Sequence, residues 1–218
     1  MIVTSAAHPV APRRREPAVL LAVGLIALLA SAVGAKSPGT WLLEVAAAVV
    51  AAVVLVLTYR RFPLTPLAYR LILAHAVILM IGGHWTYAEV PAGDWVRDTL
   101  GLARNPYDRL GHFAQGFVPA IVAREVLLRR TPLRPGRWLT ALVLCVVLAG
   151  SATWELFEWL AAVVGGSSAD DFLGTQGDIW DTQWDMLCAG VGALTSLLLL
   201  SRVHNRQLGE HTPTAPAR

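Results

Sequence analysis

Apolar residues fall in long continuous runs, at about 18–33, 41–58, 67–84, 109–129, 138–160 and 183–201. A hydrocarbon core about 30 Å thick is crossed by roughly 20 helical residues, so each run has the length of a membrane helix or nearly so. The first run is short, and the fourth and sixth are polar at one end. Strands are not expected, because the runs are rich in Leu and Ala and lack a two-residue period. The pattern predicts an all-α polytopic membrane bundle of six transmembrane helices.

Arginine placement orients the bundle. Arg13 to Arg15, Arg60 and Arg61, Arg129, Arg130, Arg134 and Arg137, and Arg202 and Arg206 share one side if six spans alternate. The positive-inside rule makes that side the cytoplasm and puts both termini there. The opposite loops carry only Lys36, Arg97, Arg104 and Arg109 as basic residues, together with all eight aspartates.

Composition agrees. With 55% hydrophobic residues, 15% charged residues and a mean hydropathy of +0.53, the chain would expose large apolar surface as a soluble domain. The net charge of +3 is spread over short loops, which reads as topology and not as a nucleic-acid surface. Membrane lipids are the expected partners and the bacterial inner membrane the expected location. Cys145 and Cys188 fall inside apolar runs at different depths and read as packing residues.

Residues 1–17 and 205–218 lack apolar periodicity and are expected to be disordered or flexible, leaving 18–204 as the membrane domain. Ser31 to Ala35 imitates a signal-peptide cleavage region, but the spans that follow favour a retained first helix. The connection from about Trp85 to Tyr107 is long for a bundle. Within it Trp95, Val96, Thr99 and Leu100 recur at helical spacing opposite Asp94, Arg97 and Asp98, as in a short helix lying in the headgroup layer. Seven of the eight tryptophans map to that side, and Trp138 to the other.

The chemistry concentrates at the same level. Asp108 and His112 are one turn apart where the fourth run begins, and Gln115 continues their face. Glu155 and Glu158 share a face near the outer end of the fifth span, Glu155 being roughly 26 Å along the helix from Trp138. Asp178, Asp181 and Asp185 form one stripe leading into the sixth, behind Gly174 and Gly177, and Glu44 lies one turn into the second. Imidazole with several carboxylates and no thiolate is ligand chemistry for Zn, Mn or Fe, whereas carboxylates and water alone suit Mg.

The expected site therefore has Asp108, His112, Asp181 and Asp185 as ligands of a divalent metal and Glu155 and Glu158 as acid or base. His84, Arg109, Gln115, Asp178 and Gln183 would contact substrate. The competing reading is structural, with the carboxylates pairing Arg104 or Arg109 and pinning helix ends. His75, with Arg70 and His84, marks either a proton path or a packed histidine. Arg124 and Glu125 are expected to snorkel, and Pro119 to kink its helix. Serine-hydrolase, P-loop and zincin motifs are absent, and so is a visible internal repeat.

At Trp41-Leu42-Leu43-Glu44, Phe62 to Leu67, Ile81-Gly82-Gly83-His84, Arg104 to Phe113 with Gln115-Gly116, Trp154 to Trp159, Gly174 to Asp178 and Asp181-Thr182-Gln183 to Asp185, the chain resembles the YjdF-like family of bacterial inner-membrane proteins. The resemblance covers about residues 36–208. It implies a multi-pass inner-membrane protein and supplies no reaction. A fainter, pattern-level similarity to VanZ-like proteins rests on Asp108 and His112 followed by later acidic residues, and it points toward envelope lipids. The leading expectation is an outward-facing acidic/His pocket that binds a metal or a polar headgroup and acts on a lipid-linked substrate. A transporter or ion-binding protein and a non-catalytic assembly protein are the alternatives.

Overall fold

The computed structural model describes residues 15–165 and 175–211. Arg13, Arg14, Asp170, Asp171, Gly174 and the ends of the chain lie outside the described residues.

Seven α-helices and one 3-10 turn make up the described residues, with no strand among them: α1 (Arg15–Ala32), α2 (Pro38–Thr58), α3 (Pro66–Trp85), the turn Tyr87–Glu89, α4 (Pro91–Leu100), α5 (Tyr107–Arg130), α6 (Arg137–Gly165) and α7 (Asp181–His211). Of these, α1, α2, α3, α6 and α7 are each long and apolar enough to cross a membrane. Ser37 and Thr65 cap α2 and α3, each accepting a backbone N–H ahead of a proline in the first turn.

Helix extends further at both ends than apolarity predicts, through Arg15 at the start and His211 at the finish. Tertiary bonds hold these polar turns in place. Glu16 accepts from Arg70 at 2.6 Å, and the Gln207 side chain accepts from the Leu67 N–H at 2.9 Å.

α5 is the axis of the fold. It carries too many charged residues to join the apolar helices, yet it packs on α3, α6 and above all α7. Neighbouring helices therefore cover much of its surface and shelter its polar residues. Its crossing with α7 is very close. A Cβ on Gly116 would collide with the Ala189 carbonyl, and one on Gly192 with the Phe113 carbonyl. Small residues let the two backbones meet, as in membrane helix pairs generally.

The arginine-rich end corrects one expectation. Arg124 and Glu125 do not snorkel: both are buried, Glu125 fully. Glu125 accepts from the Thr65 N–H and hydroxyl, from Arg129 at 2.7 Å and from His204 Nε2 at 3.1 Å. Arg124 has only protons to give, so its 2.9 Å contact makes His204 Nδ1 the acceptor and fixes the proton on Nε2. This network ties α3, α5 and α7 where snorkelling would have left them independent.

α4 keeps Trp95 and Leu100 exposed, at 70% and 67%, while Gly93 packs on Asn105. Trp85, Trp159, Trp180 and Trp184 are also exposed at that end of the bundle, and Trp138 at the other. Cys145 and Cys188 are both free.

Candidate functional site

The carboxylate-rich end is assembled by α5, α6 and α7, with α2, α3 and the Tyr87 turn on the remaining flank. Helical spacing places Asp108 directly before His112, whose Nε2 lies 3.5 Å from Asp108 Oδ1 and 3.9 Å from Asp185 Oδ1 of α7. On the other edge of the ring, Nδ1 is 3.0 Å from Gln115 Oε1 and 3.6 Å from Glu155 Oε1 of α6. The ring is thus flanked by the Gln115 amide and by carboxylates of α5, α6 and α7, a setting that suits an imidazolium or a metal-bound imidazole.

One ligand atom each from Asp108, His112 and Asp185 lies within 4.8 Å of the others, and all three residues are buried. Two ligands on a tetrahedral ion with bonds of about 2.1 Å stand roughly 3.4 Å apart, close to the His112–Asp108 separation. The donor set, one imidazole and two carboxylates, fits a divalent transition metal or zinc.

Two arginines close the site on its loop side. Arg109 donates to Asp185 at 2.6 Å, to Asp181 at 2.9 Å and to Asp178 at 3.1 Å. Arg104 bonds Asp108 at 3.1 Å, the Thr175 carbonyl at 3.2 Å and Asp181. Asp181, expected as a metal ligand, thus spends its Oδ1 on both guanidiniums and stands outside the three-residue group. The carboxylates outnumber these arginines: Glu155, Glu158 and Glu44 have no ion pair with either. Glu155 Oε1 is buried without a hydrogen-bond partner, although the residue is only 8% exposed.

Beside His112, away from the arginines, is a cavity of about 70 Å³ lined by Glu44, His75, Tyr87, His112, Trp154 and Glu158 among others. Glu158 accepts from the Trp154 indole at 2.6 Å, and His75 presents a buried Nε2 without a hydrogen-bond partner. Gln115 also lines it.

Some of the expected residues stand elsewhere. His84 donates from Nδ1 to the Ser31 carbonyl at 2.9 Å and serves the α1–α3 contact. Gln183 is exposed on α7, since it lies two residues from Asp181 and Asp185 and so off their stripe.

Several supporting residues escaped the sequence reading. Asn105 is fully buried, donates to the Val90 carbonyl and to Asp94, and exchanges two bonds with Gln176 through its backbone. Thr86 has φ 61 and ψ 142, a conformation costly for a β-branched residue, of order 1–3 kcal/mol. That turn carries Tyr87 into the cavity wall against Gly82 and Gly111. Gln176, also at positive φ, stands at the same end. Only the Asn105-Pro106 turn signal hinted at any of this.

Residues 16–206 match the model of a family described as a predicted membrane protein, DUF2238. The chain belongs to that family. It is 55% identical over 181 residues to the inner membrane protein YjdF of Escherichia coli (strain K12), covering 83% of this chain and 87% of the relative. No solved structure matches. This is a multi-pass membrane protein related to an inner-membrane protein.

Proposed function

We propose that this member of the DUF2238 family works at the outer face of the inner membrane, where Asp108, His112 and Asp185 hold a divalent metal ion beside a pocket for a polar lipid headgroup. In this reading α5 is the sixth span, sheltered by its neighbours, and both termini are cytoplasmic, which follows from the arginines. The observation that carries the metal is the convergence of three buried donors, His112 Nε2 lying 3.5 Å from Asp108 Oδ1 and 3.9 Å from Asp185 Oδ1.

Of the two glutamates expected to act as acid or base, Glu155 stands behind the imidazole. Gln115, 3.0 Å from Nδ1, is the residue that orients a metal-bound His112, and the Glu155 charge 3.6 Å away raises the basicity of the ring. Glu158 faces the cavity, where it is within reach of a substrate group. A bound ion would supply Lewis acidity and an activated water toward a lipid-linked envelope substrate.

Elemental analysis of purified, metal-replenished protein tests this. About one divalent ion per chain is expected, lost in both His112→Ala and Asp185→Asn. Wild type without a stoichiometric ion would refute the proposal. It would favour the second reading, in which the Arg104 and Arg109 bonds to Asp108, Asp181 and Asp185 pin helix ends in a non-catalytic assembly protein.

A further inference from the structure

The cavity beside His112 differs from the arginine-lined side of the site in two respects, its walls and its charge. Its opposite walls come from α2, through Glu44, and from α6, through Trp154 and Glu158. Neither helix seals the gap by packing on the other. α2 packs chiefly on α3, and α6 on α5 and α7. The loop side of the cluster is crossed by the Arg104 and Arg109 bonds to α7 and to Thr175. Among the described residues, the approach to His112 with no helix pair drawn across it is therefore lateral, between α2 and α6. A lateral opening between membrane helices faces lipid.

The chemistry of this wall is selective. Glu44 is buried, Glu158 accepts from the Trp154 indole, and among the described residues neither carboxylate is in an ion pair with an arginine or lysine. His75 adds a buried ring nitrogen without a partner. Glu44 and Glu158, with Asp108 also in the wall but paired with Arg104, offer carboxylate acceptors for the N–H bonds of a primary ammonium, and His75 in its Nδ1–H tautomer offers a third. A quaternary ammonium has no N–H to give, and a phosphate or glycerol headgroup would meet like charge or leave the carboxylates unpaired. Each water takes roughly 10–15 Å³ of such space, so the cavity has room for a few such groups, enough for an ammonium terminus but not for a whole phospholipid headgroup.

We propose that a membrane lipid bearing a primary amine approaches between α2 and α6 and seats its ammonium among Glu44, Glu158 and His75, leaving the rest of its headgroup next to His112. This names the substrate class for the site proposed above and rests on that site being the working one, but not on the ion.

The test offers delipidated wild-type protein an equimolar mixture of ethanolamine, choline and glycerol phospholipids of one acyl composition, and reads the retained lipids by native mass spectrometry. Ethanolamine lipid should be retained about tenfold over choline lipid, a preference worth about 1.4 kcal/mol. Glu44→Gln and Glu158→Gln should each bring the ratio near one. Ala47→Leu, which fills the wall with both carboxylates intact, should do the same. Equal retention of the three lipids by wild type overturns the proposal whether or not the variants fold, and so does a preference that survives both glutamine substitutions. Ion content measured on the same samples separates the two readings. A headgroup preference without an ion supports this inference and removes the metal. An ion without a preference does the reverse.

Discussion

A single oxygen of Asp185, Oδ1, is held by Arg109 at 2.6 Å and faces His112 Nε2 at 3.9 Å. The carboxylate thus belongs at once to the arginine lattice that joins α5 to α7 and to the proposed ligand set. Substitutions on its two sides should have different effects.

Arg109→Lys keeps a charge but loses the fork that reaches Asp178, Asp181 and Asp185 together. The expected cost is about 1–3 kcal/mol of stability, because the bonds lost are charge-assisted and mostly buried. Ion content per folded chain should stay near wild type. His112→Ala should do the opposite, abolishing ion binding with a smaller loss of melting temperature. Parallel thermal melts and elemental analysis would decide, and equal ion loss in both variants would contradict the division.

The α5–α7 crossing should be intolerant of any side chain at Gly116 or Gly192, where the obstruction is backbone. Gly192→Ala is expected to cost at least the 1–3 kcal/mol typical of overpacking, and Gly116→Leu to prevent accumulation of folded protein. Gly190→Ala, two residues away on a different face with only Leu148 at 3.6 Å, should be nearly neutral. Unfolding in graded denaturing detergent would rank the three, and a neutral Gly192→Ala would contradict the close crossing.

Removing Glu125 leaves Arg124, Arg129 and His204 facing one another without an anion. Glu125→Ala should destabilise by about 3–5 kcal/mol, as expected for a buried ion pair that loses one partner. A substitution at the arginine-rich end should leave ion content and headgroup preference per folded chain unchanged. A loss of either would mean that the two ends are coupled.

Orientation is open to direct measurement. Fusions at the C-terminus should be fluorescent with a reporter that matures in the cytoplasm and inactive with a phosphatase that needs export. A fusion in the connection near Trp95 should give the reverse. Any other pattern would invert the site and remove the envelope-facing reading.

How much of this was legible in the sequence depended on range. Asp108 with His112, and Asp181 with Asp185, are recoverable from helical spacing alone, and the structure sets both pairs on facing sides of α5 and α7. The same spacing already argues against Gln183, which shares the level of the stripe but not its face. His84 was misplaced for a related reason: depth can be read along a helix, but which neighbour it turns toward cannot. Arg124 and Glu125 looked like snorkelling residues because their partner, His204, comes from the last helix of the chain. Tyr87 was hidden by a strained Thr86, and local propensity argues against such a turn.

The polarity of α5 reaches back to biogenesis. α5 alone among the long helices falls short of the apolarity of a membrane span, its charges near the ends being joined by His112 and Gln115 within, so it has less tendency than its neighbours to leave the translocon for lipid on its own. Its principal companion, α7, follows it in the chain after α6. Read as the sixth span, α5 waits in the channel or against α3 until α7 emerges. A chain cut short before Asp181 would leave its most charged helix without cover and present it to the proteases that police the membrane.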